Sequence, residues 1–111
     1  MPVISLGDAQ EMTTLFREYR NVVINTEYID RDVLPFCETF PKSEIESLIN
    51  QQGCSGFRIY FGMDDDLKVH LILVAADANG ADMVATDPPD VILEDGQRCP
   101  VHCPPSSPLN E

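Results

Sequence analysis

At 111 residues, with 19 acidic against seven basic side chains and a formal net charge of -12, the chain has the size of one acidic domain. Such a charge repels phosphate backbones and anionic lipid, so it argues against nucleic acid or a membrane surface as partner and favours a protein partner with a basic surface. No segment approaches the length of an apolar membrane span, and residues 1–8 show no basic region leading into an apolar run. The reading is therefore cytoplasmic, with the four cysteines as thiols or metal ligands before disulfides.

In chain order, Met12, Phe16, Tyr19 and Val23 recur every three or four residues, which predicts an amphipathic helix between residues 6 and 24 capped by Ser5 or Asp8. Residues 25–40 read as an irregular connection with room for a short helical turn, because Pro35 interrupts any helix reaching it. Pro41 then opens a second helix running to about Gln52. Ser43 and Glu46 have the spacing of a capping box, Ile45, Leu48 and Ile49 form the apolar stripe, and Gly53 is placed to end the helix in a left-handed conformation.

From residue 56 to residue 82 the pattern changes to strict alternation. Phe57, Ile59, Phe61 and Met63 share one face of a strand, and Leu67, Val69, Leu71, Leu73 and Ala75 share one face of the next. A loop made of Asp64, Asp65 and Asp66 brings the two apolar sets to one side, setting Phe61 across from Val69, Ile59 across from Leu71 and Tyr60 across from His70. The bare aspartate triplet lacks the ligand spacing of a calcium loop and reads as a solvated turn. Asn79-Gly80 signals a second hairpin, with a third strand from Ala81 and Asp82 facing Asp77. Val91, Ile92 and Leu93 read as an edge strand.

Six of the nine prolines lie between residues 88 and 108, and residues 104–111 form a tail expected to be extended or disordered beyond a single domain of residues 1–103. The predicted fold is α+β, with two helices packed on one face of a three- or four-stranded antiparallel β-meander. Its core is read as Phe16, Tyr19, Ile45, Leu48, Ile49, Phe57, Ile59, Phe61, Val69, Leu71 and Leu73.

Three groups of residues invite chemistry. Cys99, His102 and Cys103 offer three zinc ligands within five residues, with Cys54 or Cys37 as a fourth, set against a disulfide between neighbours in an oxidising environment. Cys54 beside His70 or His102 would be the pair for a cysteine enzyme, although a thiolate is disfavoured at a helix carboxyl end. Arg58, Tyr60 and His70 share one face of the hairpin and form the candidate ligand or partner surface, since a guanidinium can grip a carboxylate or phosphate. No paired carboxylates, glycine-rich phosphate loop or Ser-His-Asp order accompanies them.

The residues Gly53-Cys54, Gly56, Arg58-Ile59-Tyr60-Phe61-Gly62, Asp77, Asn79-Gly80-Ala81-Asp82-Met83 and the segment Cys99 to Cys103 resemble those of a group of small bacterial proteins with no assigned activity. The resemblance spans about half of the chain and departs from the group at Val101-His102. It implies a bacterial source and a compact hairpin-bearing domain, and transfers no catalytic residue. The functional expectation is a non-catalytic binding or interaction protein without a cofactor, using the Arg58 and Tyr60 face or the edge beyond the third strand. A zinc protein and a cysteine hydrolase or redox enzyme are the alternatives.

Overall fold

The computed structural model describes residues 3–111; Met1 and Pro2, where the search for a leader begins, lie outside the described residues. Its elements are α1 (Leu6–Tyr19), a 3-10 helix (Thr26–Arg31), β1 (Cys37–Thr39), α2 (Lys42–Ile49), β2 (Cys54–Met63), β3 (Val69–Asp77), β4 (Ile92–Leu93) and β5 (Gln97–Cys99). They form an α+β domain with two antiparallel sheets, β2-β3-β4 and β1-β5. No helix is long and apolar enough to cross a membrane among the described residues.

The helix ends follow local chemistry. Ser5 Oγ accepts the Asp8 amide at 3.0 Å and starts α1, and Asn25 Oδ1 accepts the Glu27 amide at 3.2 Å and starts the 3-10 helix. The capping box expected from Ser43 and Glu46 does not form. Pro41 is itself the N-cap of α2, so the helix starts at Lys42, and the Ser43 carbonyl accepts the Ser47 hydroxyl at 3.1 Å. α2 ends at Ile49, and Gly53 adopts its left-handed φ of 90° in the turn that enters β2.

The two strands β2 and β3 keep their predicted faces but pair in a register shifted by two residues: Phe61 faces Leu71, Ile59 faces Leu73, Tyr60 faces Ile72 and His70 faces Gly62. The cause is Asp64. Its Oδ1 accepts the Asp66 and Lys68 amides at 2.9 and 3.0 Å, which places the loop one residue later, at 65–67, with Leu67 in the left-handed region. The same device recurs after β3. Asp77 Oδ1 accepts the Asn79 and Ala81 amides at 2.9 and 3.0 Å, and Gly80 takes the left-handed position.

This second loop pairs Ala76 with Asp82, where the sequence placed Asp77 opposite, and only that isolated bridge forms. The shift turns Met83 onto the core and leaves Val84 exposed. The third strand of the sheet is β4, with Leu73 facing Leu93 and Val74 facing Ile92.

The core is small. Leu48, Leu73 and Ala75 are its buried centre, ringed by the half-buried Phe40, Ile45, Cys54, Leu71, Met83, Val91 and Leu93. α2 supplies the helical side of it, packing against β2, β3 and β4. α1 buries none of its residues, so Phe16 and Tyr19 leave the predicted core, as does Ile49 of α2. Phe57, Ile59 and Phe61 also leave it. They share a face with Leu73 and Ala75, but on β2 they stay 45 %, 48 % and 79 % exposed.

Two buried arginines hold the connection between α1 and β1. Arg20 Nε donates to the Leu34 carbonyl at 2.8 Å and its guanidinium lies 4.3 Å over the Phe36 ring. Arg98, on β5, donates to the carbonyls of Asp32, Val33 and Val69. Buried guanidinium groups demand partners: Arg20 also pairs with the Asp32 carboxylate at 3.3 Å, while backbone carbonyls alone supply Arg98.

Candidate functional site

The three residues read as one surface fall into two clusters. Arg58 and Tyr60 stand on the same face of β2 and converge on Asp82, whose bridge to Ala76 puts its carboxylate on that face. Arg58 forms an ion pair with Asp82 Oδ1 and donates to the Gly80 carbonyl at 3.0 Å, while the Tyr60 hydroxyl donates to Asp82 Oδ2 at 2.5 Å. The guanidinium is thus already occupied by an internal carboxylate, and an external anion would have to compete with it.

These bonds set the titration of the cluster. The Tyr60 bond, then the Arg58 pair, holds the Asp82 carboxyl below the usual carboxylate range, and the bond to the Asp82 carboxylate raises the Tyr60 phenol above its ordinary value. A depressed acid stabilises the fold above its unfolded pKa and loses that contribution as pH falls through the folded value. A raised phenol stabilises the fold below its unfolded pKa, about 10, and loses that contribution as pH rises through the folded value. Asp82→Asn should therefore bring the Tyr60 titration down toward that of a free tyrosine, read as phenolate absorbance in an alkaline titration. An unchanged midpoint would show that the bond does not form in solution.

His70 belongs to the second cluster, at the hairpin tip. Its Nε2 lies 2.8 Å from Asp64 Oδ2 and its Nδ1 lies 3.4 Å from Glu38 Oε1. The Glu38 side chain, on β1, is 0 % exposed; its Oε2 accepts the Leu71 amide at 3.3 Å, and its Oε1 has only the unaligned charge contact with His70. Asp64 is held below the usual carboxylate range, first by the Lys68 amide and then by His70. An imidazole with a carboxylate against each nitrogen has no free face for a substrate proton, so the cluster is built to join β1 to the hairpin.

Three of the four cysteines come together, Cys37 on β1 facing Cys99 on β5 beside Cys103, and Cys54 lies on the other sheet. Cys99 and Cys103 are joined in a disulfide, and Cys37 and Cys54 are free. A pair of thiolates beside His102 exists only after that bond is reduced, and among the described residues no group of three or more His, Cys, Asp or Glu side chains is arranged around a metal position. Cys54 directs its Sγ at the Gly56 carbonyl, 3.1 Å away. His70 faces Gly62, eight residues along β2 from Cys54 and roughly 25 Å at strand spacing. No nucleophile–base pair joins them.

What sequence reading missed is the outer edge of β2. Among odd-numbered residues of β3, Val69 donates to the Val33 carbonyl at 2.8 Å, Leu71 to Glu38, and Asp77 to the Ala81 carbonyl at 2.9 Å, while the Ala75 carbonyl accepts the Met83 amide at 2.8 Å. All point away from β2, so the even residues of β3 bond to the even residues of β2. On β2 the peptide groups of Phe57, Ile59, Phe61 and Met63 consequently face outward. β2 is the last strand of its sheet, and among the described residues no other segment bonds to these groups.

The side chains of the same residues are open as well: Phe57 is 45 %, Ile59 48 %, Phe61 79 % and Met63 59 % exposed. Edge strands are ordinarily blunted by lysine, proline or a bulge. β2 has a bulge at its start, between Cys54 and Gly56, and beyond it a single charge, Arg58.

Comparison with protein-family models, with curated proteins and with solved structures finds no match.

Proposed function

We propose that this is a non-catalytic interaction protein of a bacterial cell that binds an extended segment of a protein partner along the outer edge of β2. One observation carries the reading. The backbone groups of Phe57, Ile59, Phe61 and Met63 and their apolar side chains are open at the same place, so an added strand gains hydrogen bonds and apolar contacts together. The clusters around Asp82 and His70 support it by fixing the hairpin: one spans β2, β3 and the following turn, the other ties β3 to β1 and the loop.

The bacterial source is the one implied by the resemblance of residues 53–103. For location, the cytoplasmic expectation and the Cys99–Cys103 disulfide pull in opposite directions, since such a bond persists best in oxidising surroundings.

A fluorescently labelled octapeptide of alternating valine and threonine tests the edge. Its anisotropy should rise with wild-type chain at about 1 µM and above, and should stay flat with Phe61→Lys, whose charge stands in the apolar strip. Equal binding by the two proteins would move the site away from β2.

A further inference from the structure

We infer that the strand added to β2 is β2 of a second copy of this chain, paired antiparallel about a two-fold axis at Ile59; this rests on the reading of β2 as the binding edge. The first argument is register. A two-fold through Ile59 sets Ile59 against Ile59 of the second copy, Phe57 against its Phe61, and Arg58 against its Tyr60. Parity is kept, so the apolar faces of the two strands join and aromatic meets aromatic across the seam.

Hydrogen bonding makes the same choice. The residues with outward-facing peptide groups are the odd ones, and in this register they meet one another: 57 with 61, 59 with 59, 61 with 57. Each such pair exchanges two bonds, about six in all. The even residues, which already bond to β3, fall at the positions between them that need none. The bulge between Cys54 and Gly56 ends the regular pairing at one side and the turn after Met63 ends it at the other, which leaves a seven-residue core of pairing, 56–62.

Area and charge complete the case. Phe57, Ile59, Tyr60, Phe61 and Met63 leave on the order of 600 Å² open on each copy, given the 150–250 Å² of an aromatic side chain. An edge-to-edge seam covers only part of that, so two copies together bury less than about 1,200 Å², the size of a weak, concentration-dependent dimer. The strand carries one charge in ten residues while the whole chain carries -12. Association therefore works against like net charge and should tighten as salt rises, opposite to an interface built on ion pairs.

Sedimentation equilibrium of the wild-type chain and three variants tests this. At about 100 µM and moderate salt, wild type should approach twice its 12.4 kDa mass. Phe61→Lys should be monomeric. The double variant Phe57→Lys/Phe61→Glu, in which lysine meets glutamate across the two-fold, should recover association at least tenfold over Phe57→Lys/Phe61→Lys, in which lysine meets lysine. Equal behaviour of the two double variants would overturn the register, and a wild-type monomer at about 1 mM would overturn the second copy. Amide exchange of that monomer separates the two proposals. Fast exchange at Phe57, Ile59 and Phe61 would leave β2 as an open edge for another protein, and protection there would end both.

Discussion

Replacing His70 with alanine should lower the unfolding free energy by about 3 kcal/mol, because it removes the 2.8 Å bond to Asp64 and leaves the buried Glu38 Oε1 without a polar neighbour. The Glu38 side chain is fully buried, holds the Leu71 amide through one oxygen, and has only His70 against the other. Removing the neighbour of a buried acceptor costs more than the contact contributes, since the group left behind keeps its desolvation penalty. The same change frees Asp64 from one of the bonds that hold its carboxyl low. Glu38→Gln in the His70→Ala background should restore more than half of the loss, as a neutral amide is cheaper to bury than a carboxylate. Urea unfolding of the two single variants and the double variant measures this coupling, and a His70→Ala protein within about 0.5 kcal/mol of wild type would show the contact to be idle.

Leu48→Ala should cost about 3 kcal/mol, whereas Phe61→Lys should stay within about 0.5 kcal/mol, although both residues were read from their spacing as core. Leu48 is 0 % exposed and stands at the centre of the cluster with Leu73 and Ala75; Phe61 is 79 % exposed. The cavity left by a truncated leucine in so small a core has few neighbours able to collapse into it. A loss of that size is a large part of the 5–15 kcal/mol that a domain ordinarily has. Phe61, by contrast, already sits in water in the single chain. Equal destabilisation by the two substitutions would mean that the β2 face is covered within one molecule.

The faces of β2 and β3 were legible because a period of two survives any even shift of register, and the pairing did shift by two. The shift itself was not legible, since it follows from Asp64 capturing the Asp66 and Lys68 amides rather than from the apolar pattern. Arg58 and Tyr60 were rightly placed on one face. Their partner Asp82 was not, because an assumed type I′ turn at Asn79-Gly80 set it opposite Asp77, one residue from its true neighbour Ala76.

Long-range pairing explains most of the remainder. β1 and β5 are three residues each, and the Cys37–Cys99 contact crosses most of the chain, so neither leaves a periodic trace. Arg98 is buried against backbone carbonyls, which carry no signature in a sequence, and Arg20 divides its bonds between the Leu34 carbonyl and Asp32, twelve residues away. α1 shows the opposite failure: its apolar spacing is helical, but α2 is the helix that packs against the sheet, and the stripe on α1 stays open.

α1 leaves the apolar side chains of β2 exposed, and the proposed partner of that strip is another chain. Nuclear Overhauser contacts from the ring protons of Phe61, recorded with filters that separate contacts within a chain from contacts between chains, test it most directly. The expected contacts are to Leu71, its cross-strand neighbour, within the chain and to Phe57 of a second copy between chains. Contacts within one chain from Phe61 to Met12, Phe16 or any other residue of α1 would contradict that exposure.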